Sequence, residues 1–353
     1  LLSGTVEVNM RITQSNIIRN YISNLRNSIT NLSKSNERLS SLSKYSRVSD
    51  NTSAIARAFT IREQLYKREQ HIANLEEAES ELYTAEDNLQ IIIKLLTTVN
   101  ERSMRGINGT LEEIDRKAIA QEIDNIKGQI LQAINAKFGS RYLFANSNNS
   151  EAPFSSDSDG HLLYNGVKVS DMFKDPATGT LMYKNPAYDP TAPDPGDQFL
   201  PVPHNKDIYI DIGLGLVVTQ NKVDPKSALK LSNSGINVMG YGEDNLFDLL
   251  TSITDAFRNN DMSQLDEKLK KLEKAQNNVM VQITDIGSRS SYITQTKERI
   301  ETEVFNLKTK QSSIESVDIE YEVINNKSYE MAWLINLQLG SQIIPPSIFD
   351  FMR

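Results

Sequence analysis

Residues able to do chemistry are few in this chain and stand far apart. His71, His161 and His204 are its three histidines, and no HExxH or His-x-His spacing brings two of them onto one helix face or strand. The segment SSDSDGHLLYNG sets Asp157, Asp159 and Gly160 in the partial order of a calcium loop. Position twelve of such a loop needs a bidentate Glu, and Gly166 stands there. The GLG of Gly213 to Gly215 is too short for a dinucleotide fingerprint and leads into Val217, Val218 and Thr219 rather than a helix start. No GxSxG elbow and no phosphate-binding loop occurs. The chain has no Cys, which removes disulfides, thiolate-bound zinc and thiol catalysis together. No catalytic, cofactor-binding or metal-ligating set can be drawn from these residues, and the expectation is a protein that is not an enzyme and needs no cofactor.

The elements therefore carry the information. From Ile18 the apolar positions step by four and three through Ile22, Leu25, Ile29, Leu32, Asn36 and Leu39. That is a heptad seam with one polar member, and it predicts a helix that seeks a partner helix. A second run uses Ile61, Leu75, Leu82, Leu89 and Leu96, with Leu65, Ile72 and Ile93 alongside. The third recurs every seven residues at Leu265, Leu272, Val279, Ile286, Ile293, Ile300, Leu307, Ile314 and Tyr321. As one helix, Leu265 to Ile314 would be about 75 Å long at ~1.5 Å per residue. Between the first two runs lies RVSDNTSAIARAF, where Ser49, Asp50, Asn51, Thr52 and Ser53 offer side-chain oxygens to the free N–H groups of a new turn. Asp50 would also face the positive end of the coming helix. The spacing predicts the end of one long helix and the capped start of another.

The middle of the chain reads differently. Nine of the 11 Pro residues fall between Pro153 and Pro225. Asn165-Gly166 between short apolar runs predicts a two-residue hairpin, Asp207 to Asp211 alternates as a strand, and DPTAPDPGDQFLPVP can be neither helix nor central strand. The fold class expected is mainly α with a β-rich insertion. The N- and C-terminal arms would form a long helical hairpin or coiled-coil bundle, with a small β domain at its tip.

A net charge of −8 provides no global basic field for nucleic acid or anionic lipid. No apolar run approaches the roughly 18–20 residues needed to cross a bilayer, and LLSGTVEVNM lacks the basic and apolar regions of a cleaved signal peptide. Neither nucleic acid nor membrane is an expected partner.

Several motifs in order resemble one family. MRITQSNIIRNYISNL from Met10, RVSDNTSAIARAF, and NGTLEEIDRKAIAQEIDNIKGQI resemble the amino-terminal region of the bacterial flagellin family. Within it they are most similar to the branch at the junction of hook and filament. FGSRYLFANSNNSEAPF is similar to that branch's exit from the helical core, NLFDLLTSI to its return, and IIPPSIFDFMR to its C-terminal tail. The likeness covers about residues 10 to 170 and 205 to 353. The sequence departs from the family in SKYSRV, which lacks Gly, in a heavier Pro pair, and in an insertion from Gly179 to Pro203.

The resemblance implies an organisation and a role. Residues 1–9 precede the family's start and read as an upstream extension. Residues 10–48 and 315–353 would be an inner polymerisation layer, 49–140 and 241–314 a helical core, and 141–240 a β-rich, solvent-facing domain. In such proteins the terminal arms are disordered in the free monomer. The inner assembly interface would use Ile18, Ile22, Leu25, Ile29, Leu32, Leu39, Tyr321, Ile324, Met331, Ile335, Ile348, Phe349 and Phe351. Arg47, Ser49, Asp50 and Asn51 would form the joint between layers. The implied partners are the other hook-associated junction protein, flagellin, further copies of this chain in a limited ring-like assembly, and an export chaperone near the C-terminus. The implied place is outside the cell, reached through the flagellar type III apparatus without a cleaved signal. A flagellin filament subunit is the nearest alternative. A helical scaffold presenting a ligand-binding or enzymatic β domain is another, and a chemoreceptor-like hairpin is weaker because no membrane anchor is present.

Overall fold

The computed structural model describes residues 3–107, 112–147, 151–157, 160–186, 188, 197–213, 215–219, 222–224 and 227–343, with the side chains of 3–15, 222 and 343 left aside. Its α-helices are α1 (Ser3–Ser41), α2 (Thr52–Ile107), α3 (Glu113–Ile134), α4 (Gly235–Met239), α5 (Leu246–Arg258), α6 (Leu265–Glu315) and α7 (Ile319–Ile343). Short antiparallel strands fill the chain between α3 and α4. The fold is thus mainly α with a β-rich insertion. The chain divides into two units, one of Leu1–Lys67 with Thr302–Arg353 and one of Arg68–Glu301.

In the second unit the heptads become a helical core. On α2 the buried positions run Leu75, Ala78, Leu82, Ala85, Leu89, Ile92, Leu96 and Val99, and on α6 they run Leu272, Val279, Ile286, Ile293 and Ile300. Ile123, Ile130 and Ile134 of α3 and Leu250, Ile253 and Phe257 of α5 are buried as well. Each large aliphatic side chain removed from water contributes about 1.5–3 kcal/mol. Polar ties flank this core: Lys297 reaches Glu76 at 2.9 Å, Arg102 reaches Glu122 at 2.8 Å, and Lys268 Nζ donates to the Ser252 carbonyl at 2.9 Å. Asn245 caps α5 by accepting the Asp248 N–H at 2.9 Å.

The insertion is a set of small antiparallel sheets. Phe154–Ser156, Leu162–Tyr164 and Val167–Lys168 form one three-stranded sheet, and Met172–Lys174, Leu181–Lys184 and Phe199–Pro201 form another. Asn165 (φ 49°) and Gly166 (φ 82°) make the expected tight turn, since both central residues of such a hairpin need positive φ. Pro201 lies in the edge strand of its sheet, where a missing N–H costs no ladder bond. The strand expected over Asp207 to Asp211 is shorter, only Tyr209–Ile210. Asp211 Oδ1 accepts the Gly213 N–H at 2.8 Å and turns the chain, while Asp207 pairs with Lys230 at 2.8 Å. Most of the Pro-rich segment (189–196) lies outside the described residues.

In the first unit, α1 packs along α7. The heptad that the sequence carries through to Tyr321 does not continue as one helix. α6 ends at Glu315 and α7 begins at Ile319, so Tyr321 belongs to a new helix with its own packing face.

Candidate assembly interface

The α1–α7 pair is where the expected interface residues gather, and its seam is not the one that the apolar pattern suggests. On α1, Ile18, Leu25, Leu32 and Leu39 are half-buried, whereas Ile22 and Ile29 are exposed. The alternate places in the seam go to Tyr21, Ser28 and Ser35, of which Tyr21 and Ser35 are buried. The phase is shifted by one residue from the pattern Ile22, Ile29, Asn36.

The partner face explains the shift. The positions of α7 turned toward α1 are Glu322, Asn326, Tyr329, Trp333, Asn336 and Gly340, all buried or half-buried and stepping by four and three. Asn336 Nδ2 donates to Ser28 Oγ at 2.7 Å, and Asn326 Nδ2 donates to Asn36 Oδ1 at 2.7 Å. Arg38 donates to Glu322 at 3.4 Å, and Glu322 is only 4% exposed. Such a side chain is held by polar partners on the other helix, which Ile22 or Ile29 would not provide.

Other large apolar residues of α7 face away. Tyr321 is 64% exposed, Ile324 65%, Met331 63% and Ile335 57%, with Leu334 and Leu337 also exposed. A soluble surface seldom leaves so many large apolar side chains on one helix unless another surface covers them. Ile348, Phe349 and Phe351 lie outside the described residues.

The four residues expected at the joint lie in the break between α1 and α2, within one unit. Asp50 ends a short 3-10 turn, Val48–Asp50, and its Oδ2 accepts the N–H groups of Ser46 at 3.1 Å and Arg47 at 3.0 Å. Those bonds, the Arg47 N–H above all, hold the Asp50 carboxyl below the usual carboxylate range. The cap of α2 is Asn51, whose Oδ1 accepts the Ala54 N–H at 3.0 Å. Ser49 is exposed on the turn. Ser43 and Ser316 complete the joint by pairing as an isolated antiparallel bridge, and Arg62 reaches Glu315 at 2.6 Å.

Among the described residues no group of three or more His, Asp or Glu converges as a metal site, and no helix is long and apolar enough to cross a membrane. What the arrangement offers is a helix pair with a mixed polar and apolar interior and an exposed apolar face on α7.

Residues 12–149 match the model of the bacterial flagellin N-terminal helical region. The chain is 30% identical over 122 residues, 34% of its length, to the flagellar filament 41 kDa core protein of Borreliella burgdorferi. It is 25% identical over 153 residues, 43% of its length, to flagellar hook-associated protein 3 of Salmonella typhimurium. The matched segments span 36% and 48% of those two proteins, so the chain aligns with less than half of either. Its fold resembles that of a solved flagellar hook-associated protein from Vibrio parahaemolyticus, with a TM-score of 0.57, 13% identity, and coverage of 76% of this chain and all of that one. The matched stretch runs from within α1 through the break at residues 42–51, α2 and α3.

Proposed function

We propose that this chain is a structural component of the bacterial flagellum, a junction protein that links the hook to the flagellin filament through its terminal helices. One observation carries the reading: the exposed apolar face of α7 at Tyr321, Ile324, Met331 and Ile335, beside an arm of flagellin type. Covering that face on assembly would release water from apolar surface, the main favourable term in association. The similarity to a hook-associated protein 3 supports the junction role over a free-standing one. In this reading the partners are a second hook-associated protein on the hook side, flagellin on the other, and neighbouring copies in a closed ring. A chaperone would hold the C-terminal segment before export through the flagellar type III apparatus. The work is mechanical connection, with no catalytic step.

The test is stepwise addition. Purified chain is added to isolated hooks carrying the preceding junction protein, then challenged with flagellin, and the hook ends are imaged by electron microscopy. Filaments growing only after both additions support the reading. Growth that is the same without this chain overturns it. The 30% identity to a filament core protein favours one other reading, a filament subunit, which would extend into long filaments by itself.

A further inference from the structure

A cleft of about 710 Å³ opens within the second unit, where the β-rich insertion meets α4 and α6. Its size is that of small-molecule sites, roughly 300–1,000 Å³, but such sites are mostly apolar and this one is not. Five amide side chains border it: Asn146, Asn205, Asn237, Asn278 and Gln282. Asn278 and Gln282 stand four residues apart on α6 and so share a face. The aliphatic members of the lining, Leu181 and Ile236, are 7% and 2% exposed, so they offer a guest almost no apolar surface.

The hydrogen bonds already made decide what each amide has left. Asn205 Oδ1 accepts from Asn146 Nδ2 at 2.7 Å and from the Tyr164 and Ser234 hydroxyls, each at 3.4 Å. An amide oxygen has two lone pairs, so that acceptor is full and Asn205 has its NH2 left to offer. Asn278 is the reverse. Its Nδ2 donates to the Asn237 carbonyl at 2.7 Å, which leaves its oxygen as an acceptor. Behind them Asn146 is 4% exposed and its Oδ1 has no partner, so the chain alone does not satisfy this polar wall.

Charge and shape narrow the guest. Asp207 and Lys230 pair at 2.8 Å and cancel, and among the described lining residues the one other charge is Lys174, which is exposed. A phosphate takes only donors and favours positive charge, whereas a metal ion takes only acceptors. A hydroxyl both gives and accepts a hydrogen bond, which is what a lining of oppositely committed amides meets. Tyr241 adds a ring that is 40% exposed, with an apolar body able to pack on the C–H face of a sugar.

We infer that this cleft binds a saccharide. The Asn205 NH2 and the Asn278 oxygen engage its hydroxyls, Gln282 gives or accepts beside them, and Tyr241 lies against the sugar ring. The site goes beyond the connecting role and does not depend on it, since every residue named belongs to the unit of Arg68–Glu301.

Saturation-transfer difference NMR on the full free chain tests this. The probes are maltotriose, cellotriose, chitotriose and a hyaluronan tetrasaccharide, each at ~10 mM, enough to detect a millimolar Kd. At least one should receive saturation at its ring protons and keep it when inorganic phosphate or a blocked trialanine peptide is added in excess. Asn278→Ala and Tyr241→Ala, both at exposed positions, should each weaken that binding by about tenfold or more. Gln282→Trp, which fills the cleft from α6, should abolish it while circular dichroism and thermal unfolding stay those of the original, and this variant decides if either alanine variant is unstable. No signal from any of the four sugars, displacement by phosphate or peptide, or binding unchanged in a folded Gln282→Trp overturns the inference. Failure of the unaltered chain to add to hooks would instead overturn the junction role and leave the saccharide result standing.

Discussion

Ser43 pairs with Ser316 as an antiparallel bridge, which ties the break between α1 and α2 to the break between α6 and α7. The Lys44 N–H donates to the Glu315 carbonyl at 2.7 Å and the Val317 N–H donates to the Leu42 carbonyl at 3.1 Å. Leu42 adopts a left-handed φ of 55°, a conformation costing roughly 1–2 kcal/mol outside glycine that these bonds hold in place. The two breaks are one bonded joint, not two slack linkers.

Asp50 makes that joint sensitive to acid. Its carboxyl is held below its ordinary value by the Arg47 and Ser46 N–H groups, so the folded joint favours the ionised form. The contribution is complete at neutral pH and is lost as pH falls through the lowered folded value. An NMR titration of the Asp50 carboxyl should show a midpoint below that of the same residue in denaturant. Equal midpoints would show that the bonds to Ser46 and Arg47 do not persist in solution.

The α1–α7 pair should open far more readily than the bundle of the second unit. Its seam is partly polar and half-exposed, while Leu75, Leu82, Leu89 and Leu96 are fully buried. Local opening free energies follow that difference. Limited trypsin digestion should cut first at Arg19 and Arg26 and only later at Lys94 and Arg102. Simultaneous cleavage of both sets would contradict the ranking.

Core and exposed face should respond oppositely to substitution. Leu89→Ala removes a fully buried side chain and should destabilise the second unit by about 2–5 kcal/mol. Ile324→Asp with Ile335→Asp places charges on solvated positions and should leave thermal unfolding within about 0.5 kcal/mol of the original. The same pair should abolish addition to hooks, because an unpaired carboxylate would be buried in the assembled face. A charged double variant that adds normally would remove α7 from the interface.

How much of this was readable follows from what each position needs. Leu75, Leu82, Leu89 and Leu96 were legible because large apolar residues at heptad spacing have few uses outside a core. Ala78, Ala85 and Ile92 complete the same seam, but alanine carries little apolar signal and Ile92 stands beside the equally apolar Ile93. Asn165-Gly166 was legible because its turn demands positive φ at both residues. The α1–α7 seam was not. Serine and asparagine on a helix usually face water, and only the facing Gly340, Asn326 and Asn336 turn Tyr21, Ser28 and Asn36 into contacts. The sequence pattern marked Ile22, Ile29, Ile324 and Ile335 as apolar faces without telling which seam, intrachain or external, they join.

The insertion offers an alkaline test. Tyr164 is fully buried, and burial pushes its phenol up to about 12. Because the folded value is raised, its contribution is complete below the unfolded value near 10 and is lost as pH rises through the folded one. The loss is on the order of 2–3 kcal/mol, two pKa units. Burial and the Asp207 charge also raise Tyr209, so tyrosinate absorbance should show a late-titrating group due to Tyr164, which Tyr164→Phe should remove together with the extra loss of stability in alkali. Titration of every tyrosine near the ordinary value would refute the burial.

Self-assembly separates the junction role from the filament one. A filament subunit presents complementary surfaces to its own copies, and such a heterologous interface, repeating without closure, grows indefinitely. A junction protein presents unlike surfaces to two different neighbours, and its specificity includes a mismatch against endless self-addition. The similarity to a filament core protein covers 34% of this chain and that to a hook-associated protein 43%, so identity alone does not choose between the two roles. Purified chain, salted out or seeded under conditions where flagellin extends filaments, should stop at monomers or short rings in negative-stain micrographs. With flagellin as the positive control, long regular filaments from this chain alone would make the exposed face of α7 a filament contact and the protein a filament subunit.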